Sequence, residues 1–204
     1  MTIFEEIPSL SPVQFFDLAW DCPYIKKALK VSSDSRLPST SELLNEDSFA
    51  DIYMGWNEEG IYLEIRSQVR TLSDTVELFF DTRNLKTKAR ISRFCHQFSF
   101  TPDEKEGFYG REITRFQNDD VHRLSDPHDL EVKVESTERS YRLQIQIPAH
   151  CLYGYDPLQF TKLGFTYRII RADGSPQHFA VSTEEFVIEQ HPSLWATLNL
   201  VGFE

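Results

Sequence analysis

The sequence has little cysteine, and none of it is paired in a short motif. Cys22, Cys95 and Cys151 are odd in number and far apart. No CxxC occurs, which excludes a zinc knuckle and a dithiol redox motif. Buried free thiols are the expectation, with Cys95 inside a strand pattern and Cys151 just after one. Long apolar runs are missing too; nothing approaches the ~18 residues of a membrane-spanning helix. MTIFEEIPSL has neither a basic n-region nor an apolar h-region, so no signal peptide is visible and a cytoplasmic location is expected. Methionine is scarce. Apart from Met1 there is only Met54, in phase with Ile52 and Trp56, and that reads as core rather than as a haem ligand. The GxSxG, Walker, HExxH and dinucleotide motifs are absent, so no enzyme class is indicated. Basic residues are in the minority: 21 Lys and Arg face 32 Asp and Glu, a formal net charge of −11. That balance argues against general binding to nucleic acid or to anionic membranes, and it keeps the chain soluble.

What is present points to sheet. The 204 residues show no break in composition that would mark a linker, so one domain over residues 1–204 is expected, long enough to bury a core without disulfides. Aromatic residues make up 13%, with 16 Phe, and β-rich cores favour them. The organising stretch runs from Asp74 to Pro102. Val76, Leu78 and Phe80 alternate with Glu77, Phe79 and Asp81. After a basic loop, Phe94, His96, Phe98 and Phe100 alternate with Arg93, Cys95, Gln97 and Ser99. A period of two puts each set on one sheet face. One face is apolar enough for core; the other carries Glu77, Arg93 and Gln97, polar groups able to point at a ligand. Glu77 also reads as a solvated strand acid, paired across strands with Arg93. His96, on the Phe94/Phe98 face, reads as a hydrogen-bonded core residue.

Other strands flank this pair. The N-terminal PSLSPVQFFDLAW suggests an extended entry strand packing Phe15, Phe16 and Trp20. Tyr24 to Val31 fits a short helix or a strand. Ser32 to Asp47 reads as a loop with a helical turn at SELLNE. Phe49 to Gln68 is a hairpin around NEEG, with Ile52, Met54 and Trp56 on one face and Ile61, Leu63 and Ile65 on the partner strand. Thr101 to Leu130 is long and polar, with one candidate strand at GREITRF; loops of this length are often functional or mobile. A second hairpin spans Glu131 to Pro148, followed by a short helical piece at IPAHCL. Strands then follow at Phe165 to Arg171, at HFAVS and at Leu194 to Val201. Eight to ten short strands with little helix indicate an all-β fold, an antiparallel, jelly-roll-like β-sandwich with one or two short helical segments. His122, Asp126, His128 and Asp129 cluster locally, but Pro127 leaves their geometry unset, and no metal ligand set is assigned.

The order of these pieces resembles the family 9 carbohydrate-binding modules and their β-sandwich relatives, the DOMON-like domains. Five local patterns carry the resemblance, strongest over residues 49–201. They are the hairpin Trp56 to Leu63, the strand Asp74 to Asp81, the pair Gln97–Phe98, Tyr141 to Pro148 followed by Leu163 to Phe165, and the closing strand Trp195 to Leu200. SRFCHQF and HPSLWATL also look like strings of a bacterial subgroup with this fold. The resemblance implies a non-catalytic module that binds carbohydrate, with no organic cofactor and with structural calcium as in some relatives. In that family a sugar ring is typically clamped between two tryptophans, beside an acid on the D-S-V-E strand and an arginine on the Q-F strand. Glu77 matches the acid and Gln97 the glutamine; Ser99 stands where the arginine is expected. Trp20, Trp56 and Trp195 all fall at packing positions, so the aromatic clamp is missing or rebuilt. The implied partner is a carbohydrate or related small ligand. The alternative is an intracellular protein-interaction or structural domain that kept the fold and lost the sugar site.

Overall fold

The structure, a computed structural model, describes residues 18–27, 29–68, 74–87, 90–105, 107–181 and 187–203. Its strands in chain order are β1 (Ala19–Pro23), β2 (Ala50–Asn57), β3 (Gly60–Ser67), β4 (Thr75–Asp81), β5 (Cys95–Lys105), β6 (Phe108–Glu112), β7 (Glu131–Ser136), β8 (Tyr141–Pro148), β9 (Lys162–Ile170), β10 (Pro176–His178) and β11 (Ala196–Val201). One short helix, α1 (Ser41–Leu44), falls at the expected SELLNE turn. Phe15 and Phe16 of the expected entry strand lie outside the described residues; Trp20 lies in β1.

The strands form two sheets. One runs β1-β11-β9-β4-β5-β6, with β10 on β9; the other runs β2-β3-β8-β7. Among the described residues, the pairings between named strands are antiparallel except β1 with β11. This is the expected antiparallel β-sandwich. The interior phases are the apolar ones read from the sequence. Ile52, Met54, Trp56, Ile61, Leu63 and Ile65 from the smaller sheet meet Val76, Leu78, Phe80, Phe98, Phe100 and Phe165 from the larger, each 3% exposed or less. Gly60 closes the first hairpin at φ +149°, and an added Cβ would meet the Ile147 carbonyl oxygen at 2.2 Å. That position takes glycine for backbone and steric reasons together. The three cysteines are buried, as expected. Polar groups stitch the sheets at one corner. The Gln177 amide accepts from the Phe49 and Ala50 N–H groups, at 2.8 and 2.9 Å, and donates to the Ala50 carbonyl at 2.9 Å.

Two boundaries differ from the sequence reading. The strand expected within GREITRF is Phe108–Glu112, a hairpin partner of a longer β5, and residues 113–126 contain no strand. Leu194 does not share the interior face of β11. A 3-10 turn at Pro192–Leu194 rotates it onto the outside of the large sheet, beside Trp195.

The outer face of the smaller sheet holds a buried acid, Glu64, whose side chain is 2% exposed. Burial pushes its pKa up, but hydrogen bonds from Arg142, Gln144 and Arg66 outweigh this and hold it below its ordinary value of 4.5. The folded pKa is depressed, so this stabilisation is present above about pH 4.5 and is lost as pH falls through the folded value. The stability advantage of wild type over Glu64→Gln is therefore expected to narrow between neutral pH and about pH 3, read by urea denaturation at both. An advantage that holds constant across that window would contradict the assignment.

Candidate functional site

The outer face of the large sheet is divided. At the Phe79 end it is apolar and covered. Phe79, Cys95 and Trp195 pack with Ile91, Val181, Ile188 and Leu194 into a second, smaller core. The Trp195 ring lies 5.7 Å from that of Phe79, and its Nε1–H donates to the Ile188 carbonyl at 2.8 Å. At the Glu77 end the face is polar. Register places Arg168, Glu77, Ser99 and Arg111 side by side across β9, β4, β5 and β6. Next to this row a groove of about 140 Å³ is lined by Thr75, Ser99, Thr101, Lys105, Phe108, Tyr109, Gly110 and Arg111. That is well below the roughly 300–1,000 Å³ of pockets that enclose a drug-sized ligand, so this is an open contact surface.

Glu77 and Gln97 both project from this outer face, as the alternation requires. Glu77 is nearly buried, with its side chain 12% exposed. Arg168 grips its Oε2, with Nε at 2.7 Å and Nη2 in a second, shorter contact. Arg168 also faces Glu189 at 3.6 Å. The other oxygen of Glu77, Oε1, takes no hydrogen bond among the described residues, and neither does the Gln97 carboxamide. Gln97 sits opposite Phe79 in register, at the seam between the covered and open halves.

Arg93 is not part of this row, which corrects the sequence reading. The Cys95 N–H bonds back to the Ser92 carbonyl at 2.9 Å, so the chain is still turning at Arg93 and alternation begins only at Cys95. Arg93 instead reaches across the end of the strand pair to Asp120. The cross-strand partner of Glu77 is Arg168, supplied by β9. Sequence reading missed Arg168 because β4 and β9 are joined only by tertiary pairing; the signal was a single cation inside the otherwise apolar FTYRII run.

The tryptophans are accounted for by packing. Trp56 and Trp195 are each 1% exposed, and Trp20 is half-buried against the main core. The aromatics that line the open groove are Phe108 and Tyr109, on β6. Residues 69–73 and 182–186, the latter including Phe186, lie outside the described residues.

No family model matches the chain, and no curated protein sequence does. Solved structures do. A family 9 carbohydrate-binding module from Caldicellulosiruptor kristjanssonii in complex with cellotriose aligns over 91% of this chain and 95% of its own, with TM-score 0.59 and 13% identity. The same organism's family 9 module in complex with glucose aligns over 91% of this chain and 97% of its own, with TM-score 0.60 and 12% identity. The fold is that of a family 9 carbohydrate-binding module. Sequence identity is low while coverage is nearly complete on both sides, so the likeness is one of architecture, and the site must be argued from this chain's own residues.

Two groups of three metal-ligating side chains occur among the described residues: His96, Glu112 and His122, and Asp129, His150 and Cys151. Both contain imidazole. Calcium takes six to eight oxygens, and neither group supplies such a cage. The expected local cluster is broken up. His128 is exposed, its N–H bonded at 3.0 Å to Asp126, which caps the 3-10 turn Pro127–Asp129, while His122 turns inward. No helix among the described residues is long and apolar enough to cross a membrane.

Proposed function

We propose that this protein is a non-catalytic module that binds carbohydrate on the outer face of the large sheet, at Glu77, Gln97 and the groove beside them. The observation that carries the reading is the Arg168–Glu77–Ser99–Arg111 row on a sheet whose architecture matches modules seen with glucose and cellotriose. An acid held by an arginine is a usual way to fix a carboxylate for hydroxyl groups. Glu77 Oε1 and the Gln97 carbonyl would accept from sugar hydroxyls, the Gln97 amide would donate to them, and Tyr109 offers the ring face for apolar contact. Arg168 orients the Glu77 carboxylate by holding Oε2, which leaves Oε1 toward the open face. Arg93 has no part in it, because it is engaged at the other end of the strand pair.

A second reading is a protein-interaction or structural domain that kept the fold and lost the sugar site. Burial of Trp56 and Trp195 favours it, since no tryptophan among the described residues is presented as a stacking platform.

A thermal-shift screen against glucose, cello-oligosaccharides and other mono- and oligosaccharides separates the two. A sugar at a hundred times its Kd stabilises by about 2.7 kcal/mol, which for a chain of this size raises Tm by about 5–10 °C. A reproducible rise with one sugar class is the expected result. No rise with any sugar at millimolar concentration overturns the carbohydrate reading in favour of the second.

A further inference from the structure

A separate feature lies at the other end of β5, buried from solvent. Glu112 ends β6 opposite Phe98 in register, as Gly110 lies opposite the buried Phe100, so the chain carries a carboxylate into a core position. His96 approaches its Oε1 through Nδ1 at 2.9 Å, and His122 through Nε2 at 2.7 Å. The side chains of His96 and Glu112 are 0% exposed and that of His122 is 1% exposed. The outer nitrogens also face oxygen. His122 Nδ1 is 2.7 Å from the Arg93 carbonyl, and His96 Nε2 is 3.4 Å from the Tyr153 carbonyl.

A proton count exposes a deficit. All four imidazole nitrogens face oxygens that can only accept, yet a neutral imidazole has one N–H. If each ring keeps its proton on the outer nitrogen, two nitrogen lone pairs abut one carboxylate oxygen. Protonating both rings instead would stack two buried cations with centroids 4.2 Å apart. Oε1 also accepts from the Thr114 hydroxyl at 2.7 Å, while Oε2 accepts from the Ser125 N–H and hydroxyl, both at 2.8 Å. A cation among the three inner atoms removes the deficit. Each ring then keeps its outer N–H on a backbone carbonyl, the usual support for a metal-bound histidine, and Ser125 holds the carboxylate from behind.

We propose that His96 Nδ1, Glu112 Oε1 and His122 Nε2 form a site for a divalent cation of zinc's class, which pins the strandless 113–126 segment onto β5 and β6. Two imidazoles and a carboxylate suit zinc or its d-block neighbours. Opening the nitrogen–oxygen separations by about half an ångström gives metal–ligand bonds near 2.0–2.2 Å in tetrahedral geometry. With all three side chains closed to solvent, the role is structural, and metal enters as the segment folds.

The test uses the purified full-length protein. Metal analysis is expected to give one zinc per chain. After chelation, Co(II) is expected to give visible d–d bands without a thiolate-to-metal charge-transfer band. That second feature separates this site from the Asp129, His150 and Cys151 group, which holds a thiol, and it needs no variant. His122→Ala is expected to abolish stoichiometric cobalt binding, and His150→Ala to leave it unchanged. Failure of the wild type to bind zinc or cobalt above background would overturn the proposal. So would a thiolate charge-transfer band, or binding that survives His122→Ala and disappears in His150→Ala.

Discussion

Glu112→Ala is expected to be among the most damaging single changes in this chain, at about 3–5 kcal/mol of folding stability. The carboxylate accepts from the Thr114 hydroxyl and from the Ser125 N–H and hydroxyl, and its Oε1 faces His96 Nδ1 and His122 Nε2. These contacts hold its pKa well below the ordinary carboxylate value, against a burial that pushes it up. Removing it leaves the Thr114 hydroxyl and the Ser125 N–H without their acceptor and two buried imidazoles without the group they converge on, each with a desolvation penalty of its own. For a chain of this length the loss corresponds to a Tm drop of about 6–20 °C. Because His122 and Ser125 lie in the 113–126 segment, protection from hydrogen exchange is expected to fall there first. A loss below about 1 kcal/mol in urea denaturation would show that the network is not what holds this segment.

Arg168→Ala is the second large effect. The Arg168 and Glu77 side chains are 14% and 12% exposed, so deleting the cation strands a nearly buried carboxylate at about 3 kcal/mol, the lower end for a broken buried pair. Glu189, whose Oε2 is buried and has no hydrogen bond, loses its ion partner at the same time. Sugar affinity is expected to fall by about tenfold or more, since a hydrogen bond to a charged group contributes about 1.5–3 kcal/mol. The double variant Glu77→Ala with Arg168→Ala separates the two roles. It is expected to regain much of the stability, because no unpaired charge remains, while sugar binding stays lost. Recovery of both together, or wild-type affinity in Arg168→Ala, would show that the pair is purely structural.

The sandwich was legible because period-two alternation is local. Ile52/Met54/Trp56, Val76/Leu78/Phe80 and Tyr141/Leu143/Ile145/Ile147 each state their own buried face within one strand. The polar outer face was legible only in part. Glu77 and Gln97 could be placed on it because their phase is fixed by the same alternation. Arg93 was misplaced because a turn at Ser92 suspends the phase two residues before the strand begins, and nothing in SRFCHQF marks that turn. Arg168 was missed because its partner is 91 positions away in sequence, and strand neighbours are not written in local pattern. Glu112 carried a readable sign. An acid two residues after the buried Gly110 shares its phase and belongs to the interior, and an interior acid needs partners. Its partners, however, come from β5 and from an irregular segment, and only the fold brings them together.

The most direct measurement of the central claim is a two-dimensional amide NMR titration of the isotope-labelled protein with mono- and oligosaccharides. The expected result is saturable shifts confined to the outer face of the large sheet, at Glu77, Gln97, Ser99, Tyr109 and Arg168. The contradicting result is either no shift at millimolar sugar or shifts centred on Gln144 and Gln146, in the groove of the opposite sheet.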